Sequence, residues 1–203
     1  MKTYKILSIA FLALAFSTAS AQKADNTESK TVRFGIKGGV NFASITGDDF
    51  DSPNARTAFH VGGLLEFPLT DMFSLQGEVL YSGQGFESDY EAIDGNGHIE
   101  YHLDYINVPI LAKIYVTKGL SIEAGPQLGF KVHERIDADP NDEGGATDVS
   151  QAEDFDFGLA GGLTFQTDMG VFASGRYTYG LTDVVQDVDA KNSVFQISLG
   201  YKF

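Results

Sequence analysis

The chain has no cysteine, no tryptophan, five prolines, and only 14 basic residues against 28 acidic ones in a length of 203. Without cysteine there is no disulfide framework, no thiolate metal site and no cysteine nucleophile. A formal charge of −14 argues against a nucleic-acid partner, because phosphate binding needs a basic surface. Long hydrophobic runs are missing too. The one sustained apolar stretch, Ile6 to Phe16, is shorter than the roughly 20 residues a membrane-spanning helix needs. It follows Lys2 and Lys5 and precedes Ala19-Ser20-Ala21, the pattern of a signal peptide over residues 1–21, cleaved before Gln22. No cysteine follows it, so a lipid anchor is excluded. Removal of the two leader lysines takes the charge from −14 to −16.

What the chain has in quantity is glycine and aromatic residues, with 23 Gly, 16 Phe and 9 Tyr. That mixture suits short alternating strands better than helices. Taken in steps of two, residues 32–203 resolve into eight such segments. In the first, Phe34, Ile36, Gly38, Val40 and Phe42 oppose Gly35, Lys37, Gly39 and Asn41. In the last, Phe195, Ile197, Leu199, Tyr201 and Phe203 oppose Gln196, Ser198, Gly200 and Lys202. Each segment has about ten residues or more, the length with which a tilted strand crosses a bilayer. Residues 22–31 are read as a short periplasmic lead-in.

Three connections are short and four are long, the asymmetry of an outer-membrane barrel with short periplasmic turns and long external loops. Thr117-Lys118-Gly119 predicts a three-residue hairpin with glycine in the left-handed position. That register sets Lys113 opposite Glu123 and Ile110 opposite Pro126. The apolar faces begin and end in aromatics, as at two membrane interfaces, while the polar faces are rich in Gly, Ser, Thr, Gln and Asn. The expected fold is therefore an all-β, eight-stranded antiparallel up-and-down barrel in the bacterial outer membrane, apolar face outward.

Four stretches carry a family resemblance: Phe34-Gly35-Ile36-Lys37-Gly38-Gly39-Val40-Asn41, Tyr105 to Lys113 (YINVPILAK), Glu123 to Gly129 (EAGPQLG), and the terminal Phe195 to Phe203 (FQISLGYKF). Through them the chain resembles the outer-membrane β-barrel domain family of the porin-like or PorT-like kind, and more distantly the OmpX/OmpA-type barrels. The resemblance implies a barrel from about Val32 to Phe203 in contact with outer-membrane lipid and lipopolysaccharide. It also implies recognition by the barrel-insertion machinery through the strand ending at Phe203. An accessory role in protein export rests on this likeness alone. Pro109 and Pro126 depart from ordinary strand chemistry, since each removes a ladder donor. A bulge or irregular pairing is expected where they meet.

Three regions could carry function. The polar interior gathers Lys37, Glu66, Glu78, Lys113, Glu123, Arg176 and Lys202, read as a structural charge network, because an eight-stranded lumen is normally filled by side chains and buried charges are paired. The alternative is an ion path in a small porin-like channel. The external loops, taken as Ser44–Thr57, Glu87–Tyr101, Glu134–Asp154 and Thr182–Asn192, hold 19 of the 28 carboxylates, with only Arg56, Arg135 and Lys191 as basic residues. They suit a solvated surface or the capture of a cationic partner. Within them, Asp137, Asp139, Asn141 and Glu143 have the spacing of calcium ligands. Asp142 stands where an EF-hand needs glycine, however, and Asp148 where it needs glutamate. Catalysis has little support. The four histidines, His60, His98, His102 and His133, accompany no serine in a nucleophile setting, although Asp104 and Glu134 lie near His102 and His133. The sequence thus reads as a non-enzymatic envelope protein without cofactor, structural or surface-interacting through acidic loops.

Overall fold

The computed structural model describes residues 31–47, 54–92, 95–137, 146–148, 152–184 and 190–203. They form nine strands: β1 (Arg33–Thr46), β2 (Asn54–Pro68), β3 (Phe73–Ala92), β4 (Gly95–Tyr115), β5 (Leu120–Asp137), β6 (Ala146–Asp148), β7 (Phe155–Gln166), β8 (Val171–Gly180) and β9 (Lys191–Lys202). Eight close into one ring, β1-β2-β3-β4-β5-β7-β8-β9, with β9 back on β1 and every pairing antiparallel. The closing seam ends with the Phe203 amide donating to the Phe34 carbonyl at 2.8 Å. The three-residue β6 lies outside the ring, paired with the outer end of β5.

The burial pattern is that of a soluble protein turned inside out. Among the described residues, Phe34, Ile36, Phe59, Val61, Leu163, Phe165, Ile197 and Leu199 are all more than half exposed or close to it, while Lys37, Glu66, Glu78, Gln76 and Arg176 are buried. Soluble monomers rarely expose a contiguous apolar patch of more than a few hundred Å²; this belt encircles the molecule and calls for lipid. Ring pairs mark its outer rim at Phe42–Phe195, Phe59–Tyr81 and Phe130–Phe155. Phe34, Phe67, Phe73, Phe165 and Phe203 mark the other rim. Between the rims each strand has about ten residues, the membrane-spanning length.

The short turns follow the expected chemistry. Gly119 takes φ 91° in the predicted hairpin, where the Val116 amide donates to the Leu120 carbonyl at 2.9 Å. Lys113 pairs with Glu123 as the turn requires. Near the prolines the register is the same on both sides, Pro109 with Gln127 and Ala112 with Ala124, but the two positions between form no ladder pair. The β3–β4 ladder also skips two positions, from Leu80–Asn107 to Gly77–Ile110. The irregularity is thus an interrupted ladder without a bulge, as expected of strands that lack an N–H at Pro109 and Pro126. The bulge lies instead near the outer rim, at Asp104/Tyr105.

The external side departs from the sequence expectation. Glu87–Tyr101 is not a loop: β3 and β4 run on as a hairpin to Ala92 and Gly95. β1 and β2 likewise extend to Thr46 and from Asn54, and β5 to Asp137. Apolar periodicity detects a strand only while one face is buried. Beyond the lipid, pairing is held by polar and aromatic contacts, such as the stacked rings of Phe86 and Tyr101 at 5.3 Å.

Candidate functional site

Every lumen residue named from the sequence points inward because strand parity puts it there. Lys37, Glu66, Glu78, Lys113, Glu123, Arg176 and Lys202 are each no more than 4% exposed. Arg176 of β8 is the hub. Its Nη1 and Nη2 donate to Glu78 Oε2 and Oε1 at 2.8 and 2.7 Å. Its Nε and Nη2 also donate to Glu123 Oε1 at 2.9 and 2.6 Å. One guanidinium therefore ties β3 and β5 to β8 across the lumen. Lys37 of β1 lies 3.4 Å from Glu78, while Lys113 lies 3.6 Å from Glu123 and 3.7 Å from Glu66. Lys202 donates to Glu66, which also accepts from the Tyr115 hydroxyl at 2.5 Å.

Inward-facing glycines let neighbouring strands approach closely around these side chains. A Cβ on Gly39 would meet the Ile197 carbonyl oxygen at 1.9 Å, and one on Gly162 would meet that of Gly175 at 2.4 Å. Above the charges sits a neutral layer. His60 lies 2.7 Å from Asn41 Oδ1 and 2.8 Å from Ser198 Oγ, and Asn41 donates to Ser82 Oγ at 2.9 Å. Below, the short-turn mouth opens as a vestibule of about 500 Å³ lined by Arg33, Lys118, Asp168 and Lys202 among others.

The long-loop mouth is capped. Leu103, Tyr105, Ala152 and Val184 form a small apolar cluster with Tyr101 against it. Lys131 of β5 holds this cap. It pairs with Glu134 at 2.6 Å and donates to the Ala152 carbonyl, while the Ala152 amide donates to Glu134 at 3.1 Å. Beside the cap, Arg56 Nη2 donates to His102 Nδ1 at 2.6 Å and Nη1 to the Gln84 carbonyl at 2.9 Å. Glu100 lies 3.1 Å from His102 Nε2. Burial, and then the Arg56 charge, hold the His102 imidazole below its usual pKa.

Among protein-family models, the one described as outer membrane protein beta-barrel domain matches residues 20–186. The chain belongs to that family. Its barrel is similar in fold to solved structures from other bacteria. Neisserial surface protein A superposes with a TM-score of 0.57 at 16% identity, over 84% of this chain and 97% of that one. Ail, the attachment invasion locus protein of Yersinia pestis, gives 0.53 at 16%, over 84% and 98%. Ail in complex with the heparin analogue sucrose octasulfate gives 0.50 at 15%, over 85% and 99%. Identities this low speak for the fold alone. No curated protein matches the sequence. The protein is an integral β-barrel of the bacterial outer membrane, in contact with its lipid.

In this barrel domain the remaining sequence candidates scatter. Asp137, the first residue of the calcium-like stretch, is nearly buried and pairs with Arg135 at 3.1 Å; Asp139, Asn141 and Glu143 lie outside the described residues. The His102 ring is engaged by Arg56, and His133 is exposed on β5 opposite Asp104. The sequence reading missed Gln76, which donates to Glu78 at 2.6 Å and accepts from Lys113 at 3.2 Å. It also missed Thr164, which donates to Glu123 at 2.9 Å. Both share the inward parity of the named charges, and that parity was the available signal.

Proposed function

We propose that the protein is a closed, non-catalytic barrel that serves the envelope through its external surface. In this reading residues 1–21 are a cleaved leader, and the terminal strand ending at Phe203 addresses the chain to the insertion machinery. One observation carries the proposal. Arg176 bridges Glu78 and Glu123 across the lumen, and a buried, mutually paired charge set of this kind fills an eight-stranded bore as a plug. The inner layers leave solute transport little room, so attention moves to the outside.

The outer surface is acidic. The external segments hold 19 carboxylates and three basic side chains; Glu134 and Asp137 are buried and paired, and the excess of like charge favours a solvated surface. Its electrostatic match is a cationic partner, such as a basic peptide or protein surface. Ail was solved with a polyanion, sucrose octasulfate; the acidic surface here is suited to the opposite sign.

Two experiments test the reading. Purified barrel in a planar bilayer is expected to give no stable unitary conductance, and steady conductance abolished by Glu78→Gln would favour the channel alternative. Barrel in lipid nanodiscs is expected to bind an oligolysine peptide in a salt-sensitive manner and to ignore sucrose octasulfate. The reverse preference would remove the acidic-surface argument.

A further inference from the structure

The outer half of the lumen is a connected hydrogen-bond network on one side, with Gln84 Oε1 and Gln196 Oε1 left over, and is largely unpartnered on the other. On the β1–β2–β3–β9 side, Asn41, His60, Ser82 and Ser198 satisfy one another, and Gln196 donates to Asn41 Oδ1 at 3.0 Å. Followed around the tilted barrel, the strand registers bring Asn107 of β4, Gln127 of β5 and Thr178 of β8 to about this depth. All three are buried. Asn107 is 1% exposed, and neither its Oδ1 nor its Nδ2 has a hydrogen-bond partner in the protein; the same is true of Gln127 Oε1 and Thr178 Oγ1.

Just outward of this layer stands Asp156 of β7, also buried. Its carboxylate accepts from Thr182 Oγ1 at 2.9 Å and from Asn192 Nδ2 at 3.2 Å. Among the described residues it forms no ion pair with a basic side chain. Gly129 provides the clearance. A Cβ there would come within 3.0 Å of Asn107 Oδ1, 3.2 Å of Asp156 Cβ and 3.4 Å of the Tyr105 ring, so three strands converge on one spot. The cap of Leu103, Tyr105, Ala152 and Val184 roofs it, and Arg176 below is committed to Glu78 and Glu123.

Water would satisfy the amide and hydroxyl atoms, and a cation beside the buried carboxylate would compensate its charge. The unpartnered atoms offer three oxygens, Asn107 Oδ1, Gln127 Oε1 and the Thr178 hydroxyl, with Asn107 Nδ2 and the same hydroxyl as the spare donors. We propose that this chamber binds a small monovalent cation, with Asp156 as its charge partner and Asn107, Gln127 and Thr178 as neutral oxygen donors. One carboxylate among neutral oxygens matches a single positive charge, whereas protein calcium sites draw on several carboxylates. The shared chemistry admits an alkali ion or the ammonium group of a small amine. The site is independent of the acidic outer surface.

The test is a titration of isotope-labelled full barrel in nanodiscs, at constant ionic strength in choline chloride. Sodium, potassium and methylammonium chloride are added separately, and the side-chain amide resonances of Asn107 and Gln127 are followed by NMR. A saturable shift is expected with at least one ion, and which ion responds distinguishes the alkali from the ammonium source. Asp156→Asn is expected to weaken the midpoint at least tenfold, while Asp154→Asn on the exposed rim leaves it unchanged. If Asp156→Asn fails to fold, as judged by heat-modifiable electrophoretic mobility, Thr178→Val and Gln127→Leu are measured instead and are expected to weaken the same midpoint. No saturable shift with any of the three ions, or midpoints unmoved in the variants that fold, would overturn the proposal.

Discussion

Replacing Arg176 with methionine removes the side chain that joins Glu78 to Glu123 by direct hydrogen bonds. The variant keeps most of the side-chain volume, so the loss is electrostatic and not a cavity. Four charge-assisted hydrogen bonds disappear, two to Glu78 and two to Glu123. Each such bond to a charged group contributes about 1.5–3 kcal/mol net. They do not add, because Lys37 at 3.4 Å and Lys113 at 3.6 Å remain to offset part of the stranded charge. Breaking a buried pair by removing one partner costs about 3–5 kcal/mol, and that is the expected destabilisation. With no tryptophan in the chain, the assay is urea unfolding from lipid vesicles, followed by circular dichroism and by electrophoretic mobility. Arg176→Lys is expected to fall in between, since lysine keeps the charge but cannot fork to two carboxylates. The triple variant Glu78→Gln, Glu123→Gln, Arg176→Met should recover much of the loss, because no stranded carboxylate is left beside the missing guanidinium. A loss below about 1 kcal/mol for Arg176→Met, against the 3–5 kcal/mol of a broken buried pair, would refute the view that this residue organises the lumen.

Other perturbations probe other parts of the barrel. Gly39→Ala is expected to cost about 1–3 kcal/mol through overpacking, because its Cβ would meet the Ile197 carbonyl oxygen at 1.9 Å, whereas Gly175→Ala, with nothing within 4 Å, should be close to neutral in the same unfolding assay. The His102 cluster should lose stability in acid. Its folded pKa lies below the ordinary value of 6.5, so the unfolded chain binds the proton more readily, and the contribution is complete above about pH 6.5 and declines below it; an NMR titration of the ring should show the lowered midpoint, and a midpoint above 6.5 would contradict it. Lys131→Met should release the cap at Ala152, seen as faster proteolytic nicking near the mouth with the barrel itself intact; unchanged nicking would show that Lys131 does not hold the cap.

Much of the barrel was legible in the sequence because a lipid-facing surface enforces strict alternation. Phe34 to Phe42 and Phe195 to Phe203 could be assigned to faces residue by residue, and Gly119 fixed the β4–β5 register that puts Lys113 against Glu123. Alternation says which face a side chain occupies but nothing about depth. It therefore could not show that Gln76 and Thr164 join the charge network, or that Asn107 and Asp156 converge at Gly129 above it. It also fades where lipid ends. Leu103 and Tyr105, apolar yet inward, blurred the pattern of β4 because they pack under a cap built from residues far along the chain. The β3–β4 extension was hidden by the acidic character of Glu87, Asp89 and Glu91, which reads as loop although the backbone remains paired.

The prolines of β4 and β5 have a consequence for how the cylinder comes together. At mid-membrane, β4 misses two ladder positions against β3 and two against β5, in an environment where water cannot substitute for the lost backbone partners. Strand β4 is thus gripped firmly at both ends and loosely at its waist. Such a waist is where amide protons should exchange soonest within the lipid-shielded zone, and where neighbouring strands can slide apart or rejoin at least cost. A barrel of this kind has a grain, like split timber, and its easiest line of parting runs beside Pro109.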